Sequence, residues 1–285
     1  MPTPAVSVAI PTRDRPAELE RALASLAAAA EHESAELIVV DDGSRSKAVA
    51  DLAHAYGVRY VRHEPATTLN AARNRALEEA RADLVAFVDD DVIVPPDWLR
   101  ELVGGAARYP DADAFAGRIV ARIAGLAGRG CGRHGAPITE LDLGESDREI
   151  ECAWGACMAL RRRALERAGL FDPAIPSDDG DESEWFERLR AAGGRVVYLG
   201  GWRLEHVRCG PSARFVALAR SSYRRGRGAR RSDRRRGSEP PLRSELRTLA
   251  GCLWHVLRRR CPQGVFLAAH SFGRLVEASR HAGTR

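Results

Sequence analysis

Short apolar runs alternate with amphipathic segments along the first hundred residues of the chain. Three apolar runs, VSVAI, ELIVV and LVAFV, begin at residues 6, 36 and 84, and such runs are typical of buried strands. Between the first two, Leu19, Leu23 and Leu26 repeat at helical spacing behind a proline that suits the first turn of a helix. This alternation predicts an α/β fold in which helices flank a mainly parallel sheet.

The second half of the chain is less regular. Residues 125–149 are rich in glycine and predict an irregular loop. Leucines at helical spacing from Leu242 onwards predict one helix, and a second helix is expected to follow after Pro262. We therefore expect a first domain over residues 1–210 and an extension over 211–285, made of an exposed Arg-rich segment and two helices.

Basic residues are unevenly distributed along the chain, which the net charge of +5 conceals. Residues 211–285 contain 18 arginines and four acidic residues, whereas acidic residues outnumber basic ones in the rest of the chain. The arginines of this extension are expected to contact an anionic membrane surface peripherally, to cover a bound diphosphate, or to be solvated. The C-terminal helices either pack on the first domain or form a homodimer contact. The arginine cluster comprises Arg224, Arg225, Arg227, Arg230, Arg231, Arg234, Arg235 and Arg236.

Composition and motifs disfavour several classes of protein. No stretch approaches the roughly 18 uncharged apolar residues that span a bilayer, and the N-terminus has no secretory signal pattern, so a cytoplasmic location is expected. The six cysteines show neither a C-x-x-C pair nor zinc spacing, which indicates reduced thiols. A P-loop kinase or ATPase is excluded because the chain has no G-x-x-x-x-G-K-[ST] motif.

Polar residues follow three of the predicted strands at the same end. They are Thr12 after VSVAI, Asp41 and Asp42 after ELIVV, and the triplet from Asp89 to Asp91 after LVAFV. Parallel strands meet at one edge of the sheet, where ligands bind, so these side chains are expected to converge. Such oxygen donors suit Mg²⁺ or Mn²⁺ bound with a phosphate-bearing ligand, and a solvated turn is the alternative. In an extended segment Asp89 and Asp91 face one side and Asp90 the other, so either face could hold the metal.

Seven motifs stand in a fixed order between residues 6 and 210. They are VSVAIPTRDRP, ELIVVDDGS, AARNRAL, LVAFVDDDVIVPPDWL, WGACMALRRRALERAGLFDP, GDESEWFERLRAAGGRVVYLG and LEHVRCG. In this order they resemble the family 2 glycosyltransferases of GT-A fold. The resemblance implies a Rossmann-like sheet and an inverting, metal-dependent enzyme. Such an enzyme moves a sugar from a UDP-, GDP- or dTDP-linked donor to an acceptor hydroxyl.

The resemblance also implies a set of donor-binding residues. Asp42 would hydrogen-bond the nucleobase with support from Asp41, and Asp90 would contact the ribose or the sugar. Arg73 would approach the diphosphate, where a guanidinium offers paired donors, and a helix-surface arginine is the alternative. Arg13 stands where many relatives have an aromatic residue, and its guanidinium can stack on a base. The other donor-site residues implied are Pro11, Thr12, Asp89 and Trp154.

Metal binding and proton transfer are assigned in the same way. The resemblance makes Asp91 the direct ligand of Mg²⁺ or Mn²⁺ and His206 a further ligand. By position Glu182 takes the role of general base and Asp181 is its rival, because the usual Glu-Asp order of the family is reversed here. Acids favoured at a helix N-terminus are the alternative for this pair. The corresponding alternatives are a structural histidine for His206 and a buried core side chain for Trp154.

Two other functions share some of these features. A sugar-1-phosphate nucleotidyltransferase would have the same fold class and metal, but it usually carries a Gly-rich loop after the first strand, and VAIPTRDRP contains no glycine. A protein that binds nucleic acid or another anionic surface would use the arginine cluster. That cluster has few interleaved aromatic residues, so no nucleic-acid partner is expected.

Overall fold

The structure is a computed structural model that describes residues 3–31, 33–125, 137–177 and 181–282. The chain divides into two compact units. Where described, the first unit comprises residues 1–120, 141–175 and 181–206, and the second comprises 121–140, 176–180 and 207–285. Much of the predicted Gly-rich loop, residues 126–136, lies outside the described residues.

Within the described ranges, nine strands form one sheet. Three of them contain the apolar runs that begin at residues 6, 36 and 84. The strands are β1 (Val6–Thr12), β2 (Ala35–Asp41), β3 (Arg59–Arg62), β4 (Leu84–Val88), β5 (Val92–Ile93), β6 (Ala114–Ile123), β7 (Arg148–Glu149), β8 (Cys157–Arg161) and β9 (Val196–Arg208).

The first four strands form the parallel part of the sheet, in the order β3-β2-β1-β4. Beyond β4 the sheet continues through β8, β6, β9 and β5, and β4 pairs antiparallel with β8. The register aligns Thr12 with Asp41 across β1 and β2, and Ala9 with Phe87 across β1 and β4. The carboxyl ends of these three strands therefore lie side by side, which confirms the predicted fold class.

Helices of the first unit cover both faces of the sheet. Alternate residues of β4 enter two different cores, Leu84, Ala86 and Val88 on one face and Val85 and Phe87 on the other. This double burial explains why the strand is apolar throughout. Side chains of α1, α2 and α4 belong to the first core, and those of α3, α5 and α6 to the second. These helices are α1 (Pro16–Ala30), α2 (Ala48–Ala55), α3 (Leu69–Glu79), α4 (Trp98–Arg108), α5 (Arg162–Ala168) and α6 (Asp181–Ala191).

Three long helices dominate the second unit: α7 (Phe215–Arg235), α8 (Leu242–Arg259) and α9 (Pro262–Ala282). The two predicted C-terminal helices, α8 and α9, are confirmed. Helices α7 and α9 approach so closely that a methyl group at Gly226 would lie 2.0 Å from the carbonyl oxygen of His270. A methyl group at Gly273 would likewise lie 2.2 Å from the carbonyl of Tyr223, so glycine is needed at both crossings.

The Arg-rich segment was expected to be exposed, and that expectation is wrong for much of it. The segment forms most of α7, and Arg230 retains only 6% of its exposure. Arg227 and Arg231 lie 2.7 and 3.0 Å from Oε2 of Glu277 in α9. These arginines can pack between helices because Glu277, from a distant part of the chain, pairs with them. A buried charge is tolerated only when it is paired.

No helix in the described ranges is both long enough and apolar enough to cross a membrane. This finding does not test the expected cytoplasmic location, which stays a prediction. The same holds for peripheral contact between the arginine cluster and an anionic membrane.

Candidate active site at the carboxyl edge of the sheet

The carboxyl ends of β1, β2 and β4 bring the predicted polar residues into contact. Thr12, the last residue of β1, donates its hydroxyl to Oδ2 of Asp90 at 2.7 Å. The backbone N–H of Asp42 donates to the carbonyl of Thr12 at 3.0 Å. Pro11 lies buried beside them within β1. Side chains from three separate strand ends thus share one edge of the sheet.

The two aspartates at the end of β2 have different surroundings. Asp41 is fully buried and accepts hydrogen bonds from the Tyr60 hydroxyl at 2.7 Å and from the backbone N–H of Ser44 at 2.8 Å. Asp42 accepts one from the backbone N–H of Thr67 at 3.1 Å. Burial raises the pKa of the Asp42 carboxyl above its ordinary value, although that hydrogen bond opposes the change. Asp41 therefore fixes the turn that presents Asp42.

Asp89, Asp91 and His206 converge beside β5. This strand begins directly after Asp91 and pairs antiparallel with β9, so that Val92 lies opposite His206. The Nε2 atom of His206 is 3.0 Å from Oδ1 of Asp91, and one ligand atom from each of the three residues lies within 4.8 Å of the others. Asp91 and His206 are only 3% and 2% exposed. Two carboxylates and an imidazole gathered this closely fit a divalent cation.

Arg15 completes this group and was not predicted from the sequence. Its Nη1 atom lies 2.5 Å from Oδ1 of Asp90, and its Nη2 atom pairs with Asp91. Burial raises the pKa of Asp90 to about 6, while the charge of Arg15 and the hydroxyl of Thr12 lower it. The guanidinium offsets the repulsion within the aspartate run. The sequence did offer one signal for Arg15, which is that it directly precedes α1 and follows Thr12 by three residues.

Arg73 of α3 and Glu182 of α6 form a second group of contacts. The Nη2 atom of Arg73 lies 3.5 Å from Oε1 of Glu182, and its Nη1 atom donates to Oδ1 of Asn70 at 3.1 Å. The backbone N–H of Gly155 donates to the same Glu182 oxygen at 3.0 Å. A methyl group at residue 155 would lie 2.0 Å from Nη2 of Arg73, so only glycine leaves room. Arg73 is 2% exposed, and the alternative of a helix-surface arginine is therefore wrong.

Two asparagines of α3 hold the loop that follows α5. Asn70 donates from Nδ2 to the carbonyl of Asp172 at 2.9 Å, and Asn74 exchanges two hydrogen bonds of 2.8 and 3.0 Å with the backbone of Phe171. The guanidinium of Arg73 lies 5.6 Å from the centre of the Phe171 ring, within cation–π range. The motifs AARNRAL and GLFDP are thus packed together, a long-range contact that neither motif reveals alone.

The remaining predicted residues are more exposed or lie outside the described side chains. Trp154 is 39% exposed, so the alternative of a buried core tryptophan is wrong. The side chain of Arg13 is 52% exposed, with Nη1 3.9 Å from Oδ2 of Asp42. Asp181 begins α6, but its side chain lies outside the described part of the chain. Glu182 is therefore the described member of that acidic pair.

Comparison of sequences adds independent findings. The family model of Glycosyl transferase family 2 matches residues 7–169. The O-antigen biosynthesis protein RfbC of Myxococcus xanthus is 30% identical over 98% of this chain and 23% of that protein. The pre-mycofactocin glycosyltransferase of Mycobacterium tuberculosis is 31% identical over 68% of this chain and 40% of that protein. The chain thus spans less than half the length of these relatives.

Comparison with solved structures supports the fold. The mannosyltransferase PcManGT of Pyrobaculum calidifontis, solved with GDP-Man and Mn²⁺, aligns with a TM-score of 0.58 and 17% identity over 100% of this chain and 75% of its own. GalNAc-T7, solved with UDP, GalNAc and Mn²⁺, aligns with a TM-score of 0.56 and 15% identity over 79% of this chain and 47% of its own. Both likenesses show the shared fold.

Proposed function

Because the chain belongs to glycosyl transferase family 2, we propose that it transfers a sugar from a nucleotide diphosphate donor to an acceptor hydroxyl, with inversion at the anomeric carbon. The observation that carries this proposal is the group of Asp89, Asp91 and His206 at the edge of the sheet. That edge is where ligands bind in α/β folds. No observation favours a nucleotidyltransferase.

The strand-end residues are proposed to bind the donor nucleotide. Asp42, fixed by the turn that Asp41 stabilises, would accept a hydrogen bond from the nucleobase, and the exposed guanidinium of Arg13 would stack on it. Pro11 and Thr12 would line the base pocket, and Asp90 would contact the ribose or the sugar. Trp154 would lie near the sugar. The two solved neighbours carry GDP-Man and UDP, which supports a UDP-, GDP- or dTDP-linked donor.

Asp91 and His206, joined by Asp89, are proposed to hold Mg²⁺ or Mn²⁺ in the working enzyme. A divalent cation at such a site stabilises the negative charge that develops on a leaving diphosphate. Asp91 and His206 are both buried, and the pairing of β5 with β9 brings them next to each other. This arrangement supports a binding role for His206 over a purely structural one.

Glu182 is proposed to be the general base. As the acceptor hydroxyl attacks the anomeric carbon, the bond from that carbon to the diphosphate breaks, and the hydroxyl proton passes to the carboxylate. Arg73 and the N–H of Gly155 hold Oε1 of Glu182, so they act as positioning residues. The predicted approach of Arg73 to the diphosphate stays a prediction, and Asp181 stays the rival for the role of base.

Calorimetric titration of UDP, GDP and dTDP, each with Mn²⁺, with Mg²⁺ and without metal, tests the donor site. One nucleotide is expected to bind tightly in a metal-dependent manner, and Asp91→Ala is expected to abolish that binding. Asp83→Ala is the matched control, because it removes a carboxylate whose side chain is 67% exposed at the opposite end of β4. If Asp91→Ala bound as well as the wild type, or if no nucleotide bound at all, the proposed site would be wrong.

A further inference from the structure

Helix α8 presents an apolar face to solvent. Leu242, Leu246, Leu253 and Leu257 recur at helical spacing and therefore lie along one side of the helix. Their exposed fractions are 46%, 57%, 50% and 77%, and Trp254 beside them is 68% exposed. A surface helix ordinarily turns such a stripe towards the protein core. In α8 the stripe is turned outwards, where a partner can cover it.

Exposed arginines border this apolar face. Arg243, Arg247 and Arg258 lie on the same side of the helix as Trp254, next to the leucine stripe. The acidic residue of α8 is Glu245, which is 5% exposed and lies 2.6 Å from Arg274 of α9. The outer surface of α8 therefore combines apolar side chains with positive charge and carries no carboxylate.

The arginine cluster identified in the sequence lies mainly on α7, and the structure uses part of it internally. Arg227 and Arg231 share Glu277, and Arg230 is buried within 3.6 Å of Glu245. The guanidinium groups of these arginines are paired with protein carboxylates and are therefore less available to an external anion. Binding of an anionic surface is therefore better served by the exposed arginines of α8 than by these members of the cluster.

We propose that α8 binds the surface of an anionic membrane peripherally. The leucine stripe enters the boundary between headgroups and acyl chains, and the bordering arginines contact lipid phosphates through paired N–H donors. Trp254 lies at the junction of the two regions, where an aromatic ring with one polar edge suits the interface. This inference rests on the composition and exposure of α8 and does not depend on the proposed sugar transfer.

A second copy of the chain is the other occupant that an apolar helix face suggests. Paired helices are held in register by opposite charges on either side of an apolar seam. If two copies of α8 paired antiparallel, Arg243 and Arg247 of each would approach Arg258 of the other. A parallel pair would align identical arginines. Since the outer surface of α8 carries no carboxylate to offset this repulsion, charge complementarity favours an anionic lipid.

Flotation of the full chain with vesicles tests the proposal. The vesicles contain phosphatidylcholine alone or with about one third phosphatidylglycerol, and the wild type is expected to bind the anionic vesicles at least roughly tenfold more tightly. Leu253→Ser combined with Leu257→Ser is expected to weaken binding by roughly tenfold or more. Arg243→Gln combined with Arg247→Gln is expected to remove most of the preference for phosphatidylglycerol.

Matched controls separate this surface from the rest of the chain. Leu170→Ser removes a leucine that is 49% exposed, and Arg100→Gln removes an arginine whose side chain is 67% exposed, both outside α8. Both controls are expected to float like the wild type. Brominated lipids are expected to quench fluorescence from Trp254, and that quenching is expected to disappear in Trp254→Phe but to persist in Trp154→Phe.

Three outcomes would overturn the proposal. The first is failure of the wild type to bind either kind of vesicle. The second is equal loss of binding in the α8 variants and in the Leu170→Ser and Arg100→Gln controls. The third is a dimer in light scattering that Leu253→Ser with Leu257→Ser dissociates, without vesicle binding, because that result assigns the face to a second copy. The substituted side chains are exposed, so circular dichroism is expected to show unchanged helix content in every variant.

Discussion

The Nη1 atom of Arg15 lies 2.5 Å from Oδ1 of Asp90, and the same guanidinium also pairs with Asp91. Both aspartates are only 3% exposed, whereas the side chain of Arg15 is 34% exposed. Buried carboxylates that lose a charged partner are costly to keep ionised. The aspartate run therefore depends on a neighbour from the segment after β1 for its charge balance, and a bound divalent cation would share that role.

Arg15→Gln is expected to lower the free energy of unfolding by about 1–3 kcal/mol, because two buried carboxylates lose a charged hydrogen-bond donor. Mn²⁺ is expected to raise the Tm of this variant more than that of the wild type, since the cation supplies the missing charge. Thermal unfolding with and without Mn²⁺ measures both effects, and the exposed Arg100→Gln serves as the control. An equal Mn²⁺ shift in both proteins would show that Arg15 does not share the charge-balancing role.

Gly155→Ala is expected to disturb Arg73 and Glu182, because the new methyl group would lie 2.0 Å from Nη2 of one and 2.9 Å from Oε1 of the other. Displacement of the positioned carboxylate is expected to lower kcat roughly 100-fold. Gly251→Ala is the control, since its added methyl group would meet no atom within 4 Å apart from its chain neighbours and the backbone of its own helix. The prediction fails if turnover survives Gly155→Ala.

Glu182→Gln is expected to lower kcat by roughly 100- to 10,000-fold without loss of nucleotide binding, because the amide oxygen still accepts the N–H of Gly155 but cannot take a proton. Asp181→Asn is expected to remain within about tenfold of the wild type. Steady-state kinetics alongside nucleotide titration separates the two steps. The opposite pattern would assign the role of base to Asp181.

His270 of α9 is expected to make the stability of the second unit depend on pH. Burial lowers the pKa of this imidazole below its ordinary value of 6.5, and the charges of Arg274 and Arg225 act in the same direction. As the pH falls below about 6.5, the unfolded chain takes up a proton that the folded chain resists, so stability falls. His270→Gln is expected to weaken this dependence. Denaturant unfolding between pH 8 and pH 5 measures it, and parallel curves for both proteins would contradict it.

The sheet and its polar edge could be predicted because their signals are local. The runs that became β1, β2 and β4 are mostly apolar, since each strand is buried on both faces. Parallel pairing then requires their carboxyl ends to meet, whatever the details of packing. Thr12, Asp42 and Asp90 all lie at this edge. The roles of the individual site residues came from the resemblance of seven ordered motifs over roughly 200 residues. The periodicity of the sequence alone does not indicate these roles.

The contacts that could not be predicted from the sequence are those between residues far apart in the chain. Eight arginines in a short segment predicted a solvated stretch, and the decisive partners, Glu245 and Glu277, come from other helices. The leucines of α8 predicted a helix correctly but did not indicate which way the apolar face turns, because periodicity defines a stripe and not its neighbour. The position of Arg15 shortly after Thr12 indicated that it lies near the polar edge, but did not indicate which carboxylate it pairs with, since Asp90 is distant in sequence.

The pairing of β5 with β9 joins residues that leave the ribosome at different times. Asp89 and Asp91 are synthesised more than a hundred residues before His206. A nascent chain that ends before β9 therefore holds the two carboxylates without the imidazole, and the full set of donors is assembled only when the last strand of the sheet is in register. Completion of this three-residue group thus coincides with completion of the sheet, so the proposed metal affinity is expected to arise only once the last strand has paired.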